Sequence, residues 1–578
     1  MATLDEVDAP GFLSDDQLAA VNADGNFFLL ACPGSGKTRC VGARVARLAA
    51  EGTRVAATSY TNVGVEEIRR VLTRDLGQVL PSSCFLGTLH TLLLRYVYYP
   101  FGHLPMKSKH PPRLLVDDGP WDEVIFGGKN TIRLPLSGFA FRPDGSLCVR
   151  RTGKKFPYDR ETAAEMEQEQ ALKKKLRAAK QGLATFEDSM YWSLKVLEEN
   201  NRLAKAIARR FEEILIDEGQ DTSELQLAVL ECIWKTGELQ SLVVAGDIEQ
   251  SIFAFQGASP SGCERLIDTA GLQTLPLNKN HRSSQLICDV AARFCTRDPD
   301  EAVGKHADCE IAPELHLYDP EDPTALKELF ARRIDVHEID AGGCVLLARG
   351  GDLVDELNDE IEIVGVAKNP LAIGRATAAF KGGVTLTRRR VEAVDRIVAL
   401  AAWGLDLDAL DWEERWKARL ATIRLLATAP DFDRDLRTWI EETRAQFDEA
   451  IKPLAEEPKK NGGQMIRSAK PQSKVSAKEF FTPPSSELRA QTVHGVKGES
   501  HDGVMIAVDR FRSAKHGAQG TLWSQALDGD IADDVAEEIR IAFVAMTRAR
   551  RYCALALPKD TADEIVATFV EAGFRAPL

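Results

Sequence analysis

Phe27-Phe28-Leu29-Leu30-Ala31-Cys32-Pro33-Gly34-Ser35-Gly36-Lys37-Thr38 runs an apolar segment into a glycine-rich turn that ends on Lys-Thr, and a helical pattern follows from Val41 to Ala50. Strand, loop and helix in that order are the setting of a phosphate-binding loop. Its glycines let backbone N–H groups close around phosphates at a helix N-terminus, where the peptide dipoles favour negative charge. On this reading Ala31, Cys32, Pro33, Gly34, Ser35 and Gly36 form the cradle of a nucleotide site, with Ala31 standing where the usual pattern has glycine. Lys37 neutralises the phosphates, and Thr38 offers its hydroxyl to Mg²⁺. The alternative is an ordinary glycine-rich turn, which the flanking strand and helix disfavour.

A second apolar run, Glu213-Ile214-Leu215-Ile216-Asp217-Glu218-Gly219-Gln220-Asp221, ends on carboxylates. In a parallel sheet, chemistry gathers at the C-terminal ends of the strands. Asp217 is expected to hold Mg²⁺ and Glu218 to orient and deprotonate an attacking water. A lone Asp-Glu pair is more often a solvated turn, but the phosphate loop upstream reverses that weighting. A third run, Val243-Val244-Ala245-Gly246-Asp247-Ile248-Glu249-Gln250-Ser251, also ends on polar groups. The amides of Gln220 and Gln250 both donate and accept, which suits them to sensing a γ-phosphate.

The rest of the 578 residues sets limits. A chain of this length exceeds one hydrophobic core, so several domains are expected. Hydrophobic residues are 44% and charged residues 28%, and no apolar run approaches the roughly twenty residues of a membrane span. The start of the chain is acidic, unlike a secretory or transit peptide, so the cytoplasm is the expected location. Eleven scattered cysteines, with no C-x-x-C pair, fit reduced thiols and neither a disulfide framework nor a zinc ribbon. The net charge of -14 does not exclude a nucleic-acid partner, because a binding channel needs only a local basic lining.

Texture divides the chain. Alternating strand and helix patterns from Asp24 to about Arg95 return from Ile207 to about Asn280, around a mixed segment that becomes a charged helix. A second such region opens at Gly343, is interrupted near Asn369 and resumes around Ala490. The interruption is helical and passes into Pro458 to Lys478, which holds six basic residues, no acidic ones, two prolines and a Gly-Gly pair, and so is expected to be a mobile loop.

These residues together resemble the UvrD/Rep group of superfamily 1A DNA helicases. Leu13-Ser14-Asp15-Asp16-Gln17 is similar to that group's adenine-reading glutamine motif, and Ser59-Tyr60-Thr61-Asn62 and Gly87-Thr88-Leu89-His90 to its DNA-touching motifs. Asp217 to Asp221 matches D-E-x-Q-D, and Gly246 to Phe255 the segment whose glutamine meets ATP and whose aromatics stack on bases. Asn280-His281-Arg282-Ser283-Ser284, Val493-His494-Gly495-Val496-Lys497-Gly498 and Val544 to Arg550 complete the order. The resemblance implies an α/β fold of two RecA-like P-loop motor domains, parallel sheets with flanking helices, each with a mostly helical inserted subdomain. The first motor domain is expected at 1–95 and 205–282 with subdomain 1B at 96–204, the second at 283–370 and 488–578 with subdomain 2B at 371–487.

It further implies ATP held between the domains, Gln17 on the adenine, Gln250 at the γ-phosphate, and Arg282 and Arg548 completing the catalytic set. Tyr60, His90, Phe253, Phe255 and His494 would contact DNA, single-stranded and duplex. Core packing is the alternative for the aromatics, and a satisfied structural role for the histidines. The basic run Lys173 to Lys180 and that from Lys459 to Lys478 are open between DNA contact and a solvated helix face or linker. Two positions depart from the family: His281 replaces a tyrosine that stacks on adenine, and Glu499-Ser500-His501 replaces Leu-Glu-Phe. The short tail beyond Arg551 is expected to leave no room for a fused nuclease domain.

The implied activity is ATP-dependent 3′–5′ movement with duplex unwinding, in repair, replication restart or phage defence. One alternative is a translocase or DNA-sensing ATPase serving a partner nuclease without strong unwinding. Another is a regulatory binding module with residual ATPase, against which Lys37, Glu218 and Arg548 speak.

Overall fold

The computed structural model describes residues 13–115, 123–126, 132–149, 162–253, 257–358, 368–382, 386, 388–405, 407, 410, 412–455, 458–466, 476–481, 488–510, 519–527 and 536–576. Six strands build the first sheet: β1 (Phe27–Ala31), β2 (Val55–Ser59), β3 (Phe85–Thr88), β4 (Glu213–Asp217), β5 (Ser241–Gly246) and β6 (Gln273–Leu277). They are all parallel, in the order β6-β1-β5-β4-β2-β3. Helices cover both faces, so the inner strands β1, β4 and β5 read as buried apolar runs without polar alternation, while the edge strand β6 is largely exposed. Successive side chains of β4 still part to opposite sides: Ile214 and Ile216 join one core with Phe28 and Val244, while Leu215 joins the other with Leu29 and Val243.

Register sets the functional edge. Asp217 lies level with Ala245 and with Ser59, and Leu30 level with Gly246. The carboxylates, the end of β5 and the phosphate loop therefore emerge together. At the opposite edge Arg44, on helix α2 (Lys37–Ala50), forks onto Glu213 at 2.9 and 2.7 Å and also donates to the carbonyls of Val21 and Ala23. That buried pair ties α2 and the end of α1 (Asp15–Asn22) to the start of β4.

The first insertion combines helices with short ribbons, Glu123–Phe126 against Ile132–Pro135 and Phe139–Phe141 against Leu147–Val149. Its helices α3 (Thr162–Lys180) and α4 (Asp188–Glu199) are joined by a buried bond from Lys175 Nζ to the Asp188 carboxylate at 2.8 and 2.6 Å, with the ammonium 5.5 Å from the Phe141 ring centre. Lys175 is thus a core cation, not part of an open basic face, and Lys173 pairs with Glu169 one helical turn back.

The second sheet is also parallel: β7 (Glu314–Tyr318), β8 (Cys344–Ala348), β9 (Arg489–Thr492), β10 (His501–Ala507) and β11 (Ala549–Pro558), ordered β7-β11-β10-β8-β9. Helix α5 (Gln285–Ala291) packs its Ile287 and Val290 into the core of this sheet with Val345 and Leu347.

Between β8 and β9 stands the helical insertion, α6 (Lys368–Gly382), α7 (Arg388–Ala402), α8 (Trp412–Thr428) and α9 (Leu436–Ile451), around Trp439 and Phe447. The expectation of a mobile loop over Pro458 to Lys478 is corrected where that stretch is described. Gly462–Met465 forms a turn capped by Asn461, Gly462 N donates to Asp448 at 2.6 Å, and Met465 and Ile466 are buried in the helical core. Residues 467–475, with three of the basic positions, lie outside the described residues. Among the described residues no helix is long and apolar enough to cross a membrane.

Candidate nucleotide site

The loop after β1 is held open by two glycines at positive φ, 75° at Gly34 and 79° at Gly36, where an L side chain is strained. Space forbids side chains there as well. A Cβ on Gly34 would sit 2.5 Å from Asn280 Oδ1, and one on Gly36 would sit 2.5 Å from Gln17 Nε2. The segment Asn280-His281-Arg282 is pressed against the loop, and His281 N donates to the Gly34 carbonyl at 2.9 Å. Gln17 lies beneath the loop: its Nε2 donates to the Ser35 carbonyl at 2.7 Å and its Oε1 accepts from Ser14 N, which closes a capping box on α1.

Lys37 Nζ stands 2.7 Å from Asp217 Oδ1 and 2.6 Å from Glu218 Oε1. Burial disfavours its charge, but the two carboxylates outweigh that and hold the ammonium above its ordinary range. Burial opposes ionisation of Glu218 also, yet Lys37 and Lys497 bring its carboxyl down to about 2, so it is an anion at neutral pH. Asp217 is pushed up by burial, against the pull of Lys37. Glu218 takes a left-handed backbone, φ 57°, a conformation that costs a non-glycine residue about 1 kcal/mol and that collects at functional sites.

From Glu218 a hydrogen-bond chain crosses to the second sheet. Gln220 Nε2 donates to Glu218 Oε2 at 2.6 Å, and Gln220 Oε1 accepts from Asp247 N at 3.1 Å. Gln250 Nε2 donates to Asp247 Oδ2 at 2.9 Å, and Gln250 Oε1 accepts from Arg548 Nη2 at 3.2 Å. Arg548 follows α10 (Ala536–Met546) and is buried; burial and the neighbouring Arg282 lower it to about 9. Arg282 donates to the Thr547 carbonyl at 2.8 Å. Lys497 reaches the other way, to Asp221 at 2.5 Å and the Gln250 carbonyl at 2.7 Å.

A cleft of about 620 Å³ brings Gln17, the loop from Cys32 to Thr38, Glu218, Gln250, Arg282 and Arg548 together. Ala31 and Asp217 are buried beneath it. Six further charged residues line it that the sequence reading does not single out: Arg39, Glu67, Arg70, Asp75, Lys497 and Arg550. Lys497 and Arg550 lie inside motifs and carry that signal; Glu67, Arg70 and Asp75 follow β2 on a helix with no motif to mark them.

Of the described candidate DNA contacts, Tyr60, Phe253 and His494 cluster together, while His90 has other partners. Phe253 is 7% exposed and packs in the core of the second sheet, its ring 5.4 Å from that of Tyr60, 5.8 Å from His494 and 4.9 Å from the Lys497 ammonium. The core alternative therefore describes Phe253 in this arrangement. Phe255 lies outside the described residues. His494 Nε2 donates to the Ile252 carbonyl at 3.0 Å, and burial lowers its pKa to about 4, so it is a neutral packing group here and not a cation presented to phosphate. His90 bonds Gln226 at 2.9 Å and stacks on Phe186 at 4.3 Å. Phe186, in the first insertion, is 48% exposed and carries no sequence signal.

The cleft lies on the P-loop of one parallel α/β domain, with Arg282 at the junction and Arg548 and Arg550 lining it from the second. The model of the UvrD/REP helicase N-terminal domain matches residues 13–111 and 149–270. The first α/β domain is thus similar to the UvrD/REP helicase N-terminal domain. The chain is 24% identical over 409 residues to the ATP-dependent DNA helicase srs2 of Schizosaccharomyces pombe, covering 63% of this chain and 44% of that protein. It is 27% identical over 320 residues to DNA helicase II of Haemophilus influenzae, 51% of this chain and 41% of that one. To the ATP-dependent DNA helicase Rep of Salmonella typhimurium it is 25% identical over 289 residues, 48% and 42%. The chain spans less than half the length of these relatives.

Proposed function

We propose that this chain is an ATP-driven DNA helicase that tracks 3′ to 5′ on single-stranded DNA and opens duplex ahead of it, acting in the cytoplasm in repair, replication restart or phage defence. The observation that carries the reading is the bond between Gln250 of the first domain and Arg548 of the second, within the same cleft as Lys37 and Glu218. Hydrolysis and domain closure then share atoms. ATP lies along the loop from Ala31 to Thr38 with its base near Gln17 and His281. Its phosphates replace the carboxylates as partners of Lys37. Thr38 and Asp217 are hard oxygen donors of the kind Mg²⁺ takes alongside phosphate, and they are the residues that would hold it. The metal would neutralise charge on the phosphates. Glu218, already an anion, accepts the proton of the attacking water, and Arg282 and Arg548 stabilise the charge that develops.

On this reading Tyr60, His90 and Phe186 contact the strand, Phe253 and His494 join it where the domains move apart, and Phe255 remains a further candidate contact. A second reading, a translocase working with a nuclease partner, is supported by 34% identity over 144 residues to an ATP-dependent helicase/nuclease protein of Exiguobacterium sibiricum, 24% of this chain and 12% of that one. Arg548→Ala tests the first reading. ATP binding should stay within a few-fold of the parent while turnover falls by about 10³ or more, the scale of an arginine supplied across an interface. Parent-like turnover would remove Arg548 from the site.

A further inference from the structure

The turn that carries Gln250 is gripped from the side by a dipeptide that none of the motifs includes. Asp247 is 1% exposed, and its carboxylate accepts from Glu249 N at 3.1 Å and from Gln250 Nε2 at 2.9 Å. The same Oδ2 that holds Gln250 lies 3.0 Å from Arg297 Nη2. The preceding residue, Thr296, donates its backbone N–H to Glu249 Oε1 at 3.1 Å and its hydroxyl to the same oxygen. Both acidic side chains of the turn are thus answered by consecutive residues of the segment that follows α5. Arg297 is anchored on its far side as well. Its guanidinium lies 5.2 Å over the ring of Phe543 on α10, the helix that leads to Arg548, and 3.6 Å from Asp300.

We propose that Arg297, with Thr296, is a positioning residue for Gln250. It compensates the buried Asp247 carboxylate and fixes its direction, and through it turns the Gln250 carbonyl toward Arg548. A buried carboxylate that loses its cation is strongly penalised and seeks another partner. Arg548 is the cation already bonded to Gln250, so freeing Asp247 disturbs the contact on which closure depends. Arginine is required for this place because one flat group must meet a carboxylate at its edge and an aromatic ring on its face. The proposal rests on the reading of the site as an ATPase.

The test is steady-state ATP turnover by the full chain with a dT oligonucleotide, comparing Arg297→Gln, Gln250→Ala and the double variant, with the parent and Lys37→Ala alongside. Arg297→Gln should lower kcat ten-fold or more and leave KM for ATP within about three-fold. The double variant should be no slower than Gln250→Ala alone, because residues acting through one group are not additive. Arg297→Lys should recover part of the rate. Should Arg297→Gln not fold, Thr296→Val, which exchanges the hydroxyl for a methyl of similar size, is read against Gln250→Ala in the same way. A parent-like kcat in Arg297→Gln, or losses that multiply in the double variant, would overturn the proposal. A parent chain without turnover would instead sink the ATPase reading itself.

Discussion

His281 lines the cleft, as do Leu13 and Gln17, and stands where the resemblance implies a tyrosine. Partial burial lowers its pKa, and Arg39 and Lys279 push the same way, so the imidazole is neutral at pH 7 and offers adenine a modest face and no charge. An aromatic stack is worth about 1 kcal/mol, roughly five-fold in an equilibrium constant. His281→Tyr should therefore raise the ratio of kcat/KM for ATP over GTP by about that factor. An unchanged ratio, measured with both nucleotides on the same preparation, would show that position 281 takes no part in reading the base.

At the scale of elements, the pair Lys175–Asp188 is what joins α3 to α4 in the first insertion. Lys175→Met leaves a buried carboxylate without its cation, at a cost of about 3–5 kcal/mol. Hydrogen exchange should show α3 and α4 losing protection while β1, β4 and β5 keep theirs; a uniform loss over both regions would contradict a local role. The same contrast explains what could be read from the sequence. Strand, glycine loop and helix from Phe27 to Ala50, and a strand ending on Asp217 and Glu218, are local patterns whose spacing carries their meaning. The bond from Lys497 to Asp221 spans 276 residues, and Arg297 meets Asp247 across two domains, so no local period announces either. Lys175 sits in a run of lysines that reads equally as a DNA contact or a solvated face, and only the packing of Phe141 and Asp188 shows it buried. Phe253 likewise looks the same in sequence whether it stacks on a base or fills a core.

For the whole molecule, several polar contacts join the two α/β domains, and the one between Lys497 and Asp221 includes a group that titrates. Burial pushes the Asp221 carboxyl up to about 6, against the pull of Lys497. Because burial raises rather than depresses this value, ionising Asp221 costs the folded protein stability, a cost that builds as pH rises from about 4 and is complete above about 6. The ion pair with Lys497 has the opposite sign: its contribution to closure is present above pH 6, where Asp221 is ionised, and is lost below it. Asp300, also pushed up to about 6 by burial, titrates in the same window, so a variant is needed to isolate Asp221. The radius of gyration from X-ray scattering should grow between pH 7.5 and 5.5. Asp221→Asn should already show the larger value at pH 7.5 and change less on acidification. An identical pH response in parent and variant would remove this pair from the control of closure.

The reading of the chain as a DNA motor turns on whether the nucleotide cleft answers to a strand bound across both domains. ATP turnover by the full chain, measured with and without a dT oligonucleotide and followed by strand separation on duplexes with a 3′ or a 5′ single-stranded tail, tests this most directly. The expected result is turnover raised at least ten-fold by the oligonucleotide, and separation of the 3′-tailed duplex alone. Turnover that is the same with and without DNA, in a protein that loses it on Lys37→Ala, would show an ATPase that is not a DNA motor and would contradict the account.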